Sequence, residues 1–278
     1  MQKYLIANYH THTMRCHHAS GDEREYIERA IRSGIRTLGF SDHAPQLFDG
    51  GYVSGFRMLP EQTEEYVSTL CALREEYRSD IQILIGYEME YYPRYFEQSL
   101  AAICRYPVDY LIVGQHFLEN ENPLVRARGG GSDEYSGGMH AEQWKLDAYV
   151  DRMLGAIGSG VYSCLAHPDL FRWAGDPALY HEGMLRMCRA ARDARIPLEL
   201  NLLGIIDNRW YPNEAFWRIA GEAGCEAIIG CDAHTPDALY LPQAVEQARD
   251  IAQRCGVVLR DTLALVPPIP LHSAEQTP

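Results

Sequence analysis

Histidine and carboxylate residues recur in this chain directly after short apolar runs. His10-Thr-His12 and Asp232-Ala-His234 each pair two such residues at a spacing that places both side chains on one face of a strand. Imidazole and carboxylate together suit zinc, iron or manganese better than calcium. The candidate ligands are His10, His12, His18, His43, Glu88, His116, His167, Asp232 and His234. Because this set exceeds what one ion takes, it predicts a centre of two or three divalent transition-metal ions (Zn, Fe or Mn).

The segments between these residues predict the elements that position them. Seven short apolar runs lack strict polar alternation, as expected of parallel strands covered on both faces. These runs are residues 4–8, 37–41, 82–87, 110–114, 161–166, 197–201 and 226–231. Amphipathic stretches lie between them, beginning with a capping box at Asp22 and Glu25 that opens a helix closed by Gly34. Pro60 opens a second helical pattern. Similar patterns cover residues 141–157, 182–194, 213–223 and 242–255. The alternation predicts a parallel α/β architecture.

The candidate ligands cluster at the carboxyl ends of the predicted strands. A single strand-end histidine is more often a hydrogen-bonded structural residue, but the same coincidence at six strand ends favours a shared site. If the sheet closes into a barrel, the first and last strands become neighbours at the active-site face. Asp42 is expected to orient a ligand, whereas Glu90 is expected either to do the same or to be structural. His140, His181 and His272 are expected at the surface.

Composition limits the classes of partner. The formal net charge is −13, which argues against binding nucleic acid through a broad basic surface. No apolar run is long enough to span a membrane. The eight cysteines include no CxxC pair, so reduced thiols and a cytoplasmic location are expected. One domain is expected over residues 1–266, with a disordered tail over 267–278, and homo-oligomerisation is left open.

At the candidate ligands the chain resembles the PHP (polymerase and histidinol phosphatase) superfamily, and within it the monofunctional histidinol-phosphatase branch. The matching stretches follow the family order and cover residues 10–18, 40–45, 86–88, 116–117, 166–170 and 230–234. Cys16 ahead of His18, the His-Pro-Asp-Leu run at 167–170 and the pair Tyr211-Pro212 resemble the branch in particular. Gln115 and Cys231 depart from the usual family residues without removing a ligand.

The resemblance implies a distorted TIM-like (β/α)7 barrel with a trinuclear centre. One ion would take His10, His12, Glu88 and Asp232. A second would share Glu88 and add His116 and His167, and a third would take His18, His43 and His234. The implied reaction is metal-dependent hydrolysis of a small phosphate monoester, namely L-histidinol phosphate to L-histidinol and phosphate in histidine biosynthesis. In-line attack by a metal-bridging hydroxide is the expected mechanism.

Arginine is the expected partner of the substrate phosphate. The first choice is Arg209, just before Tyr211-Pro212, and the other candidates are Arg172, Arg126 and Arg128. A solvated surface role is the alternative for each of them. The glycine-containing stretch 120–138 predicts a long loop that is either a lid or disordered.

The sequence allows two other functions. One is a PHP phosphoesterase that acts on a nucleotide, a nucleic-acid end or a phosphotyrosine protein. The other is a non-catalytic metal-binding module for protein interaction, which predicts that some ligands are lost, whereas all nine are present here.

Overall fold

The computed structural model describes residues 4–124 and 134–269, and a curved parallel sheet forms its centre. The strands, numbered along the chain, are β1 (Ala7–Asn8), β2 (Thr37–His43), β3 (Gln82–Glu88), β4 (Tyr110–Val113), β5 (Met139–His140), β6 (Cys164–Leu165), β7 (Arg172–Trp173), β8 (Leu198–Asn201), β9 (Glu226–Gly230) and β10 (Val258–Leu259). Eight of them form the main sheet in the order β1-β2-β3-β4-β6-β8-β9-β10, and every pair is parallel. All seven runs predicted as strands contribute to this sheet.

Helices cover the outer face of the sheet. They are α1 (Glu23–Arg32), α2 (Thr63–Glu76), α3 (Phe96–Ile103), α4 (Gln143–Ser159), α5 (Pro177–Ala194), α6 (Leu202–Ile206), α7 (Glu214–Ala223) and α8 (Pro242–Cys255). The capping box of Asp22 with Glu25 is present at the start of α1, and Gly34 follows that helix with a φ of +83°. The predicted start of α5 at residue 182 is wrong, because Asp176 caps the helix and Pro177 opens it.

Alternate residues of the strands divide the core into two layers. On β4, Leu111 and Val113 face outward into the large cluster beneath the helices, whereas Tyr110 and Ile112 face into the barrel. Inward residues from the other strands and Leu263 from the C-terminal segment complete the inner cluster. This period of two is the pleat of a strand with both faces buried, and it explains why the strand runs read as continuously apolar.

The sheet closes at its carboxyl end and opens at its amino end. Beyond β1 and β9, Thr11 forms a parallel bridge with Ala233, and the His12 amide donates to the Ala233 carbonyl at 2.9 Å. At the amino end β10 pairs with the first residues of β9 instead. The prediction of a distorted TIM-like α/β barrel is therefore confirmed. The sheet holds one parallel strand more than the predicted seven, because the two-residue β10 is too short to show a sequence pattern.

The C-terminal segment crosses the open amino end of the barrel. Leu263 packs inside, and the Val266 amide donates to Ser163 Oγ at 2.8 Å. Part of the predicted tail is described, since the Pro268 carbonyl lies 3.5 Å from Cys104 Sγ. Residues 270–278 lie outside the described residues. Within the described ranges, the helices are too short or too polar to cross a membrane.

His140 is buried, so the prediction of a surface position is wrong. The backbone of His140 pairs with that of Trp173 in the small β5–β7 sheet. Its ring stacks on Phe171 with 5.0 Å between ring centroids. The ring is further anchored by its Nε2, which donates to the Tyr135 carbonyl at 3.0 Å. His181 is exposed as expected, and His272 lies outside the described residues.

Candidate metal centre

The nine predicted ligands converge at the carboxyl end of the barrel. Each follows or ends a strand of the main sheet, except His18, which lies on the turn after β1. The Thr11–Ala233 bridge brings the first and last pairs together at the seam, as the closed barrel required. Two of the residues, His167 and Asp232, have positive φ values of 28° and 49°. Such conformations are costly for side chains other than glycine and are concentrated at functional sites.

Four of the nine surround a gap of the size that one metal ion fills. His12 Nε2 lies 3.1 Å from both His10 Nε2 and Asp232 Oδ1, and 3.6 Å from Glu88 Oε2. His10 Nε2 lies 3.4 Å from both carboxylates. A tetrahedral zinc ion with bonds of about 2.0–2.1 Å holds its ligands about 3.3 Å apart. The observed spacing therefore fits one ion among these four side chains.

Glu88 faces two sides of the centre with its two oxygen atoms. Oε2 lies toward the first gap and 3.0 Å from His43 Nδ1. Oε1 lies 2.8 Å from His167 Nε2 and 3.6 Å from His116 Nε2. A carboxylate shared in this way can bridge two cations, so the geometry supports the predicted second ion beside His116 and His167.

The remaining histidines adjoin the first gap on its outer side. The His18 ring lies 5.4 Å from that of His43 and 4.7 Å from that of His234, measured between centroids. Nδ1 of His18 donates to the Cys16 carbonyl at 2.7 Å and Nδ1 of His234 to the Asp232 carbonyl at 3.0 Å. Both rings therefore keep Nε2 for a cation. Groupings of metal-ligand size link His234 with His12 and His43, and also with Cys16 and His18.

Buried atoms without a hydrogen-bond partner show that a cation suits the centre. Glu88 Oε2, Asp232 Oδ1 and His234 Nε2 are all buried and have no such partner. Leaving a buried carboxylate oxygen unpaired costs about 1–3 kcal/mol or more. Three such atoms at one place, all of them lone-pair donors to metals, fit divalent transition-metal ions.

Three further carboxylates hold the ligand rings from behind. Glu199 Oε1 accepts from His10 Nδ1 at 2.8 Å, and Glu90 Oε1 accepts from His116 Nδ1 at 2.8 Å. Asp42 Oδ1 lies 3.5 Å from His12 Nδ1. A carboxylate behind a histidine fixes the tautomer and raises the basicity of the ligating nitrogen. Asp42 thus occupies the orienting position predicted for it, and Glu90 has the orienting contact rather than a purely structural one.

Glu199 is the main residue that sequence reasoning missed. It lies on β8, and its second oxygen accepts from the His167 amide at 3.0 Å and from Asn201 Nδ2 at 2.9 Å. Asn201 also donates to Asp232 Oδ2 at 3.0 Å. A local signal existed, because a charged residue between Leu198 and Leu200 in an apolar strand must be buried with partners.

Two glycines provide the space that the carboxylates occupy. A Cβ atom at Gly114 would lie 1.7 Å from Glu88 Oε1, and one at Gly230 would lie 1.8 Å from Glu199 Oε1. No side chain fits at either position without displacing an acid. These glycines follow β4 and end β9, so their small size serves the centre rather than a turn.

The electrostatic field of the centre raises the pKa of some of its histidines and lowers the pKa of others. Burial alone would lower the pKa of His10, but Glu199, Asp232 and Glu88 raise it well above its usual value. Burial would also lower the pKa of His12, but the nearby carboxylates of Asp232 and Asp42 raise it to about 9. Burial and the neighbouring His12 lower the pKa of His234 to about 3. The negative charge of the carboxylates therefore stabilises positive charge at the centre, and metal ions would replace protons there.

A cavity of about 680 Å³ opens above the centre. Its floor includes His18, His43, Glu88, His116, His167, Asp232 and His234. Its wall combines apolar and aromatic side chains, among them Phe56, Phe117, Tyr135, Leu203 and Ile206. A mostly apolar wall above a few converging polar groups is typical of a small-molecule site.

The predicted arginines differ in their placement. Arg209 lines the cavity, and its Nη1 donates to Tyr211 Oη at 3.0 Å while Asp207 accepts from its other nitrogens. Arg172 is not among the described residues of the cavity wall, and its guanidinium stacks over the ring of Trp210 at 5.4 Å. Arg126 and Arg128 lie outside the described residues, as does much of the predicted loop 120–138.

The fold and the site together place the chain among the α/β-barrel proteins that bind metal ions through histidine and carboxylate side chains at the carboxyl ends of their strands. The chain belongs to the PHP domain family, whose model matches residues 8–202. Asp232 and His234 lie beyond the matched residues and join the centre through the barrel seam. The family predicted from the sequence is therefore confirmed.

Relatives and solved structures agree with that assignment. A protein of Deinococcus radiodurans named probable histidinol-phosphatase is 28% identical over 266 residues, covering 90% of this chain and 95% of the relative. The crystal structure of histidinol phosphate phosphatase from Lactococcus lactis, complexed with zinc, L-histidinol and phosphate, superposes with a TM-score of 0.68 at 19% identity over 92% of this chain and 95% of its own. The putative histidinol phosphatase of Listeria monocytogenes gives a TM-score of 0.65 at 20% identity, over 84% of this chain and 97% of its own.

Proposed function

We propose that this protein is a metal-dependent phosphatase that hydrolyses L-histidinol phosphate to L-histidinol and phosphate. The observation that carries the proposal is the shared carboxylate of Glu88, whose two oxygens face two ligand sets at the floor of one cavity. Adjoining divalent ions are the arrangement that phosphoester hydrolysis uses to hold attacking and leaving oxygens. Zinc, iron and manganese all suit the ligand types.

The nine ligands divide into three sets in this proposal. His10, His12, Glu88 and Asp232 would hold one ion, and Glu88, His116 and His167 a second. His18, His43 and His234 would hold a third. When bound, the ions would supply Lewis acidity and a water molecule activated at neutral pH. The chain itself supplies the orientation, because Glu199 and Glu90 accept hydrogen bonds from the rings of His10 and His116, and Asp42 lies behind His12.

Arg209 and Tyr211 are the proposed phosphate-binding residues. Arg209 lines the cavity and donates to Tyr211 Oη, so its charge would face a phosphate bound there. Burial raises the pKa of Tyr211, which keeps the phenol protonated and able to donate a hydrogen bond to an oxyanion. Phe56, Phe117 and Tyr135 offer aromatic faces against which the imidazole of the substrate would pack.

The identity of the ester rests on the relatives. The relative from Deinococcus radiodurans covers nearly the whole chain, and the structure from Lactococcus lactis holds the two reaction products with zinc. The cavity volume falls within the usual range of about 300–1,000 Å³ for small-molecule sites. A nucleic-acid substrate is disfavoured by the net charge of −13, since the sequence offers no basic excess for a phosphate backbone.

The cellular setting follows from the proposed activity. We place the protein in the cytoplasm, where its eight cysteines, all free in the structure, would remain reduced. The sequence leaves homo-oligomerisation open, and light scattering of the purified protein would measure the oligomeric state.

A substrate panel tests the function. L-histidinol phosphate, a nucleoside monophosphate, a phosphotyrosine peptide and a 5′-phosphorylated oligonucleotide are compared by phosphate release at equal concentrations of zinc-loaded protein. We expect kcat/KM to be highest for L-histidinol phosphate and chelation to abolish turnover. Fast turnover of another ester beside negligible turnover of L-histidinol phosphate would contradict the substrate. Zinc binding without release of phosphate from any ester would favour the non-catalytic alternative.

A variant pair tests the phosphate-binding residue. Arg209→Met should lower kcat/KM by about a hundredfold, since a charged hydrogen bond to phosphate contributes about 1.5–3 kcal/mol. Arg186→Met removes an exposed arginine that lies 3.5 Å from Asp151, and it should leave kcat/KM unchanged. Equal rates for the two variants would remove Arg209 from the proposal.

A further inference from the structure

Arg57 is buried directly behind the metal centre although no ligand neighbours it in sequence. It lies between β2 and α2 and is 2% exposed. Its Nη1 donates to the carbonyl of Ala44 at 3.0 Å, immediately after His43. The preceding residue, Phe56, lines the cavity and packs edge-on against the His43 ring at 5.2 Å. The guanidinium therefore anchors the loop after β2.

Two buried carboxylates surround the same guanidinium. Glu90 Oε1 and Oε2 accept from Nη2 and Nη1 of Arg57 at 2.9 and 3.0 Å. Glu121 accepts from Nε at 2.6 Å and from Nη2 at 2.8 Å. A two-point contact of this kind fixes the plane of the guanidinium relative to that of the carboxylate, which the ammonium group of a lysine could not do. Arg57 thus joins the loops that follow β2, β3 and β4, the three strands that lead into His43, Glu88 and His116.

The charges within the group explain its link to the centre. One guanidinium and two carboxylates leave one negative charge in excess, in a place with no access to water. Glu90 carries part of that negative charge and accepts a hydrogen bond from His116 Nδ1 at 2.8 Å. The contact turns His116 Nε2 toward Glu88 Oε1, which is 3.6 Å away. Without Arg57 the Glu90 carboxylate would lose the two-point contact that fixes its plane.

We propose that Arg57 is a positioning residue of the metal centre, which acts through Glu90 on His116 and is itself held by Glu121. The inference rests on the metal centre proposed above and is independent of which ester is hydrolysed. The role is not catalytic, because Arg57 contacts no cavity-lining ligand directly. It goes beyond ordinary packing, since its polar contacts among the described residues lie on loops that begin at a ligand or carry one.

Zinc affinity and thermal stability of purified full-length protein test the role. Arg57→Lys and Glu121→Gln are compared with wild type and with Arg24→Lys, a control in which an exposed arginine bonds Glu76 at 2.7 Å. Metal-free protein is titrated with zinc against a competing chelator, and melting is followed with and without zinc. We expect Arg57→Lys to weaken zinc binding by about 10–100-fold and to reduce the zinc-induced rise in Tm. Glu121→Gln should weaken it less, and the control should match wild type.

The outcomes separate positioning from bulk stability. A purely structural Arg57 would lower the Tm of zinc-free and zinc-loaded protein equally and leave zinc affinity unchanged, and that result overturns the inference. If Arg57→Lys fails to fold, Glu121→Gln decides, and unchanged zinc affinity in that variant also overturns it. Wild-type protein that binds no zinc would instead refute the metal centre itself.

Discussion

Replacing Gly114 with alanine should remove the shared carboxylate from the metal centre. The added methyl group would lie 1.7 Å from Glu88 Oε1, 2.6 Å from its Cδ and 2.9 Å from His167 Cε1. Contacts of a Cβ atom below 3.0 Å are essentially never found, so the Glu88 carboxylate must retreat by more than an ångström. Because β3 and β4 pair next to this position, the backbone has little freedom to absorb the displacement.

The size of the effect follows from the tolerance of metal coordination. Ligand distances in metal sites vary by only about 0.2 Å, which is severalfold less than the displacement that Glu88 must make. Changes to residues behind a ligand already cost about 10–100-fold in affinity, and this change moves a ligand shared by two gaps. We therefore expect a loss of at least about 100-fold in zinc affinity, equivalent to about 2.8 kcal/mol.

A competition titration with a chromophoric chelator measures this loss, and circular dichroism checks that the variant is folded. Gly158→Ala is the matched control, because it lies inside α4 with nothing within 4 Å of the added Cβ. That variant should bind zinc as wild type does and gain about 0.5–1 kcal/mol of stability. Folded Gly114→Ala with wild-type zinc affinity and stoichiometry would refute the role of Glu88 as a shared ligand.

Three further predictions concern the support of the centre and of the barrel. Glu199→Gln removes the charged acceptor of His10, so zinc affinity should fall by about 10–100-fold in the same titration, and no change would leave Glu199 a packing role only. Metal-free protein should lose stability as pH rises from 6.5 through 9, because folded His12 holds its proton up to about pH 9 whereas the unfolded chain releases it earlier. Urea unfolding in the presence of chelator measures this, and a flat profile would contradict it. Leu263→Ala should lower the unfolding free energy by about 2–4 kcal/mol without changing zinc affinity, and a loss below about 1 kcal/mol would mean that the C-terminal segment does not close the barrel.

The ligand layer was predictable because its signal is local. His10 and His12, and likewise Asp232 and His234, occur at a two-residue spacing after an apolar run, and parallel strands bring such ends together whatever the details of packing. The structure brings all nine side chains together at the carboxyl end of the barrel, and seven of them line the floor of the cavity. The meeting of the two pairs depends on closure of the sheet into a barrel, which the family resemblance implied and the Thr11–Ala233 bridge bears out.

Residues in irregular segments were not predictable in this way. Arg57 lies in a stretch without period or motif, and its partners Glu90 and Glu121 are 33 and 64 residues away in sequence. His140 was misplaced for the same reason, because the two-residue strands β5 and β7 leave no pattern. The eight-residue helix α3 escaped notice since two turns are too few to show a clear amphipathic period.

The inward positions of β3 show how one strand serves both stability and chemistry. Leu84 packs in the inner apolar cluster, Gly86 leaves room for the ring of Tyr110, and Glu88 reaches the metal centre. Polarity thus increases along the strand toward its carboxyl end, while Leu263 seals the opposite end. Because the apolar layer excludes water from below, the partners of the buried Glu88 carboxylate within the described ranges are histidines, together with the cations that they would hold. The packing that stabilises the barrel therefore also favours metal binding at the centre.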